Sequence, residues 1–369
     1  NNSISGAGST SSIITTGNGT INSGKTVTGA IEWADNDAVL TNGTVAQFIS
    51  GATFTSIAGA INYIPTSACN PEGQGTPPIS DSDGDGVADP EDEYPTDPLR
   101  AYNNYYPSES TFASMAFEDL WPYYGDFDMN DLVVDIRFNR VTNAQNNVVD
   151  LINTYQVKAV GGSFKNGFAF QLDQVSIGSI ASVTGTVLSN GSYLSLGANG
   201  LENGTDKPVV FVYDDAERVI HRAGGSFFNT ENNGLTGTSD LVTITVNFAT
   251  PQPVATIGLP PYNHFIVKNK VREQEIHLPN QIPTSKADLT LFGSGNDDSN
   301  PGSGKYYKSA TNLPWAIFIA ESFDYPVEKA DISTAHLKFA AWAQSSGTQY
   351  PNWYLDEPGF RNPANIYGN

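Results

Sequence analysis

Cysteine is nearly absent: Cys69 is the only one in 369 residues. No intrachain disulfide can form, so any cross-link beyond the hydrophobic core must come from another source. Cys69 itself reads as a structural or incidental thiol and not a nucleophile, because none of the four histidines lies in a motif with it. Basic residues are scarce as well. Lys and Arg number 18 against 39 Asp and Glu, a net charge of −21. That balance argues against nucleic acid and anionic membrane as partners, since both are bound through basic patches. No apolar run reaches the length that spans a bilayer, so no transmembrane segment is expected. No signal peptide precedes Asn1-Asn2-Ser3, which suits a mature or truncated chain and is compatible with a lipid anchor upstream.

Catalytic motifs are missing too. His221, His264, His277 and His336 are scattered without a His-x-x-x-His pair, and no Gly-x-Ser-x-Gly strand–turn–helix element occurs. His336 falls in a helical pattern and is expected to face solvent. Asp214-Asp215, Asp297-Asp298 and Asp356-Glu357 can be nominated as glycosidase carboxylates only in name, because such pairs come from distant strands and leave no local motif. Adjacent acids of this kind are expected to be solvated loop ends. The chain reads as a non-enzyme.

What is abundant is Gly, Asn, Ser, Thr and aromatic residues, with only 15% DEKR. This composition suits short strands joined by many turns. The length suits two or three domains. Residues 1–68 read as a small β domain, with an alternating run at Thr26–Trp33 and turn chemistry at Asn18-Gly19 and Asn42-Gly43. Residues 69–111 read as a linker and 112–369 as the main domain. Strands are expected over 132–138, 149–160, 167–172, 208–213, 241–248, 264–268 and 315–319. One helix is expected, capped by Asp331 or Ser333, with Ile332, Ala335, Phe339, Trp342 and Ala343 on its apolar face and Gly347 at its end. The fold class is mainly β: a β-sandwich or jelly-roll-like main domain with one helix near the C-terminus.

The most specific pattern is Asp81-Ser82-Asp83-Gly84-Asp85-Gly86-Val87-Ala88-Asp89-Pro90-Glu91-Asp92. Carboxylates occupy positions 1, 3, 5, 9 and 12 of a twelve-residue calcium loop, glycine occupies position 6, and the Val87 carbonyl would serve at position 7. Calcium prefers six to eight oxygens, which alternating Asp side chains can aim at one centre. Asp92 is shorter than the usual Glu at the last position, so Glu91 or Glu93 would have to help. Acidic runs are more often solvated linkers, but five acids in register with the glycine set this one apart. Pro77, Pro78, Pro95 and Pro98 flank the loop and exclude the paired helices of a calcium switch. Asp97 could serve an adjoining ion.

A second acidic cluster follows in Phe117–Asp135. Asp126, Asp128, Asn130 and Asp131 are spaced so that an irregular turn could converge three or four oxygens on one calcium. Trp121, Tyr123, Tyr124 and Phe127 would bury that turn. The alternative is that Asp126 and Asp131 only cap backbone amides at a strand entry.

The 81–92 segment resembles a thrombospondin type 3 repeat, carried by Asp81, Asp83, Asp85, Asp89 and Asp92. The resemblance implies an extracellular, calcium-ordered linker. Trp121-Pro122-Tyr123-Tyr124-Gly125-Asp126-Phe127-Asp128-Met129-Asn130-Asp131-Leu132-Val133-Val134 looks like the signature of the LruC-type domain of bacterial surface and outer-membrane lipoproteins. Glu275–Pro279, Leu313–Ala316, Glu321–Pro326 and Tyr350–Asp356 agree with it. The resemblance covers about 112–369 and implies a bacterial cell-surface location and a surface-interaction or adhesion role, with a surface protein or glycan as partner. A carbohydrate-binding module is the rival, in which Trp315, Trp342, Trp353, Tyr306, Tyr307 and Tyr354 would stack on sugar rings. Burial of those aromatics would count against it.

Overall fold

A computed structural model describes residues 80–368 and, nearer the N-terminus, the backbone of six short strands: β1 (Asn2–Ile4), β2 (Ile13–Thr15), β3 (Gly19–Ile21), β4 (Ile31–Trp33), β5 (Val39–Asn42) and β6 (Thr53–Phe54). These pair in parallel, in the order β1-β3-β5-β6 and β2-β4. Parallel neighbours need crossovers, so these strands are not the adjacent hairpins that Asn-Gly turns would close. Cys69 lies outside the described residues. The chain divides into two compact units, Asn1–Ser82 with Ala88–Pro90, and Asp83–Val87 with Glu91–Asn369.

The second unit is mainly β. Its strands are β7 (Tyr102–Tyr106), β8 (Ala113–Phe117), β9 (Leu132–Thr142), β10 (Asn147–Ala159), β11 (Gly167–Gln171), β12 (Ile180–Thr184), β13 (Val209–Tyr213), β14 (Ile220–Arg222), β15 (Gly237–Ser239), β16 (Leu241–Pro253), β17 (Asn263–Val267), β18 (Glu275–His277) and β19 (Ala316–Ile319). Each strand expected from the alternation is present. The additional ones are short, such as β14 and β15, or lack alternation, such as β8, which is buried throughout. β7, within the stretch read as linker, pairs with β9.

One antiparallel sheet runs β12-β16-β10-β9-β8-β19, and β7 continues the line of β8 along the same edge of β9. A second runs β13-β11-β17-β18. They face each other through a core that joins Met115, Phe117, Leu132, Val134, Leu151 and Tyr155 of the first to Phe168, Phe170, Val210, Val212 and Ile266 of the second. This is the expected sandwich.

The larger sheet is covered on its other face too. Ala116, Val133, Ala159, Ile317 and Ile319 pack against Phe127, Met129, Phe323, Tyr325, Ile332, Phe339 and Trp353. That layer explains why β9 is buried along nearly its whole length instead of alternating.

Within that layer the expected helix is divided. After a one-turn α1 (Val254–Ile257), the C-terminal region carries α2 (Ile332–Ala335) and α3 (Phe339–Gln344). Asp331 caps α2 as expected, accepting from the Ser333 N–H at 2.7 Å. His336 then leaves helical geometry (φ −109°, ψ 93°), and Leu337 donates its N–H to Phe360 at 2.7 Å. His336 is fully buried, not solvent-facing. It stacks on Phe323, meets Trp353 edge-on and lies with Nε2 2.8 Å from the Asp324 carbonyl. Helical periodicity could not anticipate this, because tertiary partners draw the backbone out of the helix.

Candidate metal centre

β8 and β9 run antiparallel with Phe117 opposite Leu132. The residues just beyond that pair, Glu118-Asp119 and Asn130-Asp131, are therefore brought side by side. Between them the chain makes an irregular turn in which Gly125, Phe127 and Met129 take positive φ (63°, 55° and 56°). Alternating left-handed residues with Asp126, Asp128 and Asn130 turns those side chains off a regular strand path. Phe127 and Met129, both non-glycine, are held there by burial in the core beneath.

The four residues expected here do not form one group. Asp126 and Asp128 join Glu118, each offering an oxygen within 4.8 Å of the others. Asp131 instead joins Glu118 and Asp119 in a second group of the same span. Glu118 and Asp119 are thus acids that local spacing missed. The signal that could have found them is the β8–β9 pairing, which requires knowing that the fully buried Ala113–Phe117 is a strand.

Glu118, Asp119, Asp128 and Asp131 are buried, and Asp126 is exposed, so the cluster opens to solvent on one side. Burial, with Asp128 and Asp126 nearby, pushes Glu118 up to about 9. Burial and then Asp126 push Asp128 up to about 7. Asp119 and Asp131 are also raised, first by desolvation. Compensation within the cluster is sparse. Asp128 accepts the N–H of Asn130 at 3.1 Å and of Lys329 at 2.7 Å, while Glu118 Oε2 has no hydrogen-bond partner. Asn130 donates Nδ2 to the Pro326 carbonyl at 3.1 Å, and its Oδ1 is buried without a partner. A side chain on Gly161 would place its Cβ only 1.7 Å from that Oδ1. Acids this close and this buried require either protons or a cation. Asp131 accepts a backbone N–H, as the capping alternative foresaw for it, and so does Asp128, which that alternative did not name, but capping leaves Glu118 unexplained.

Tyr123 is 61% exposed and does not help bury the turn; Trp121 and Phe127 do, and Tyr124 stacks on Trp315 with centroids 5.5 Å apart.

In the acidic loop, Gly86 adopts φ 100° and Gly84 φ 79°, the left-handed turns the pattern calls for. Asp83 and Asp85 each bring a carboxylate oxygen within 4.8 Å, and Asp81 is exposed. Asp85 accepts the Val87 N–H at 2.7 Å and Asp92 the Tyr94 N–H at 2.7 Å; each keeps its second oxygen buried and unpartnered. Those orphaned oxygens fit a cation. Asp89 is turned onto Ser82, accepting its N–H and hydroxyl at 2.7 Å each, so its own oxygens are already engaged. Glu93, offered as a helper at the last loop position, accepts the Asn103 N–H with Oε2, and Asp97, offered for an adjoining ion, pairs with Arg100 at 2.6 Å.

The nominated carboxylate pairs divide: Asp298 and Asp356 are exposed as expected and Glu357 is half-buried. Asp214, Asp215 and Asp297 are buried. Asp215 binds Lys270 at 2.8 Å and caps Glu217, Asp214 accepts from Ser189, and Asp297 accepts from Ser299. Of the six aromatics considered as a sugar platform, Trp315, Trp353 and Tyr307 are buried and Trp342, Tyr306 and Tyr354 are half-buried.

A family model described as a domain of unknown function (DUF4842) matches residues 146–354. A crystal structure of a protein from Bacteroides ovatus assigned as a lipoprotein has a similar fold, with a TM-score of 0.51 and 17% identity over 72% of this chain and 75% of that one. No curated protein matches the chain. No helix among the described residues is long and apolar enough to cross a membrane.

Proposed function

Because the chain belongs to the DUF4842 family, whose function is not established, we propose from its own site chemistry that it is a calcium-binding cell-surface protein whose adhesive or surface-interaction role is non-catalytic. The observation that carries this is the buried Glu118/Asp126/Asp128 group, open to solvent at Asp126 and short of donors. A hard divalent cation is the natural occupant of such an all-oxygen site. Asp83, Asp85, Asp92 and the Val87 carbonyl would hold a further ion in the loop, where calcium would supply the order that the Gly- and Pro-rich sequence cannot. The fold shared with the Bacteroides ovatus protein supports a lipid-anchored place on the bacterial outer surface. The resemblance to LruC-type domains and thrombospondin type 3 repeats points the same way.

Calorimetric titration of chelated protein with calcium tests the loop. Binding should be detected, and one event should vanish in Asp83→Ala/Asp85→Ala while the remainder persists. Heat unchanged by that double substitution would remove the loop from the account.

Glycan capture is a second reading with one observation in its favour. Half-buried Trp342 lines a chiefly apolar cleft of about 180 Å³ with Pro279, Pro314 and Ala343, and Asn280, Lys308, Asn312 and Ser346 also line it. Glycan binding abolished by Trp342→Ala would favour it.

A further inference from the structure

Glu118 stands in two acidic groups at once, and the reading above uses one of them. On its other side lie Asp119 and Asp131, and the three offer oxygens within 4.8 Å of one another. All are buried, at 0%, 2% and 7% exposure. Few donors reach them. Asp119 Oδ2 accepts from Asn166 Nδ2 at 2.7 Å, Asp131 Oδ2 accepts the Asp119 N–H at 2.7 Å, and Glu118 Oε1 accepts the Leu120 N–H at a long 3.4 Å. Glu118 Oε2 is buried with no partner at all. Lys268 lies near enough to feel all three charges, yet its Nζ reaches the Trp121 carbonyl at 3.3 Å and forms no ion pair with any of them.

The backbone makes room for these acids. A Cβ on Gly162 would sit 2.8 Å from both Asp119 Oδ2 and Asp131 Oδ1, so any side chain there would enter the space the two carboxylates share. The two acidic groups meet only at Glu118, for none of the 4.8 Å groupings joins Asp119 or Asp131 to Asp126 or Asp128. The five acids thus form two adjoining groups of oxygens that share Glu118.

We propose that Glu118, Asp119 and Asp131 hold a second divalent, oxygen-seeking cation beside the Asp126/Asp128 ion, making Glu118 the shared member of a two-ion centre. This rests on the calcium reading of the Asp126/Asp128 group. Five carboxylates are balanced by two divalent cations and the Lys268 ammonium, whereas a single ion would leave two charges uncompensated in a buried site.

Calcium titration of the intact chelated chain by calorimetry tests this with three variants. Asp119→Asn should bind one calcium fewer than the unsubstituted protein and keep the Asp128-dependent event. Asp128→Asn should lose the complementary event, and Glu118→Gln should weaken both. Loss of the same single event in Asp119→Asn and Asp128→Asn, or no loss in Asp119→Asn, would overturn the second ion and leave the first standing. No event dependent on Asp128 in the unsubstituted protein would instead sink the calcium reading of this cluster. Crystals of the unsubstituted chain soaked with terbium avoid any folding defect of the variants: two anomalous peaks flanking Glu118 are expected, and one peak overturns the proposal.

Discussion

In chelator, the folded state should lose about 2–3 kcal/mol of stability between about pH 7 and about pH 9, and calcium should abolish that loss. Burial raises Glu118 from its ordinary value of 4.5 to about 9, and raises Asp119 and Asp131 in the same direction. In the unfolded chain these acids are ionised well below pH 7. Across the window the folded protein therefore binds more protons, and stability falls as pH rises through the folded value at about 1.4 kcal/mol per unit for each group. The buried histidines act in another range. His264, lowered by burial to about 3, and His336, to about 4, favour folding fully once pH exceeds about 6.5, so they are silent here. Calcium bound among these acids would replace the protons and remove the slope. Urea unfolding at pH 7, 8 and 9, with chelator and with excess calcium, measures both arms. A flat profile in chelator would mean that the cluster tolerates its charge without protons or cation.

Arg272→Met should destabilise the protein by about 3–5 kcal/mol whether or not calcium is present. Arg272 is buried and binds Glu202 through Nε and Nη2, each at 2.6 Å, and Glu275 through Nη1. Its guanidinium also lies 5.6 Å from the ring centroids of Phe211 and Phe265. Burial alone would raise Glu275; its hydrogen bond with His277 and the Arg272 charge instead bring it down to about 2. Methionine fills similar volume but takes the guanidinium from two buried carboxylates, leaving Glu202 with Lys286 at 2.8 Å and Glu275 with only His277 and the Thr284 N–H, each at 2.9 Å, and the Thr284 hydroxyl. Thermal melts should show a drop of roughly 5–8 °C for a unit of this size. A loss below about 1 kcal/mol would show that the network is worth no more than a surface pair.

The sandwich was legible where half-buried strands announce themselves by alternation, as at the start of Leu241–Pro253. β8 gave no such signal: Ala113–Phe117 is buried on both faces, and a short apolar run can be strand or helix. Missing β8 hid Glu118 and Asp119, since only its pairing with β9 sets them beside Asp131. The acidic loop was read from spacing, and the turns at Gly84 and Gly86 agree. What spacing could not show is that Asp89 folds back on Ser82, because a serine hydroxyl and amide compete for an aspartate as well as a cation does. His336 failed for a related reason: periodicity ranks faces of a helix and says nothing of a break imposed by Phe323 and Trp353.

The most direct test of the calcium reading is the melting temperature of Asp128→Ala beside the unsubstituted chain, each in calcium and in chelator. If Asp128 holds an ion with Glu118 and Asp126, the substitution should cost about 2–4 kcal/mol in calcium, roughly 3–7 °C, and much less in chelator, where neither protein carries the ion. If Asp128 only caps the N–H groups of Asn130 and Lys329, the loss should be about 1 kcal/mol and equal in both buffers. Equal shifts in calcium and chelator would contradict the account.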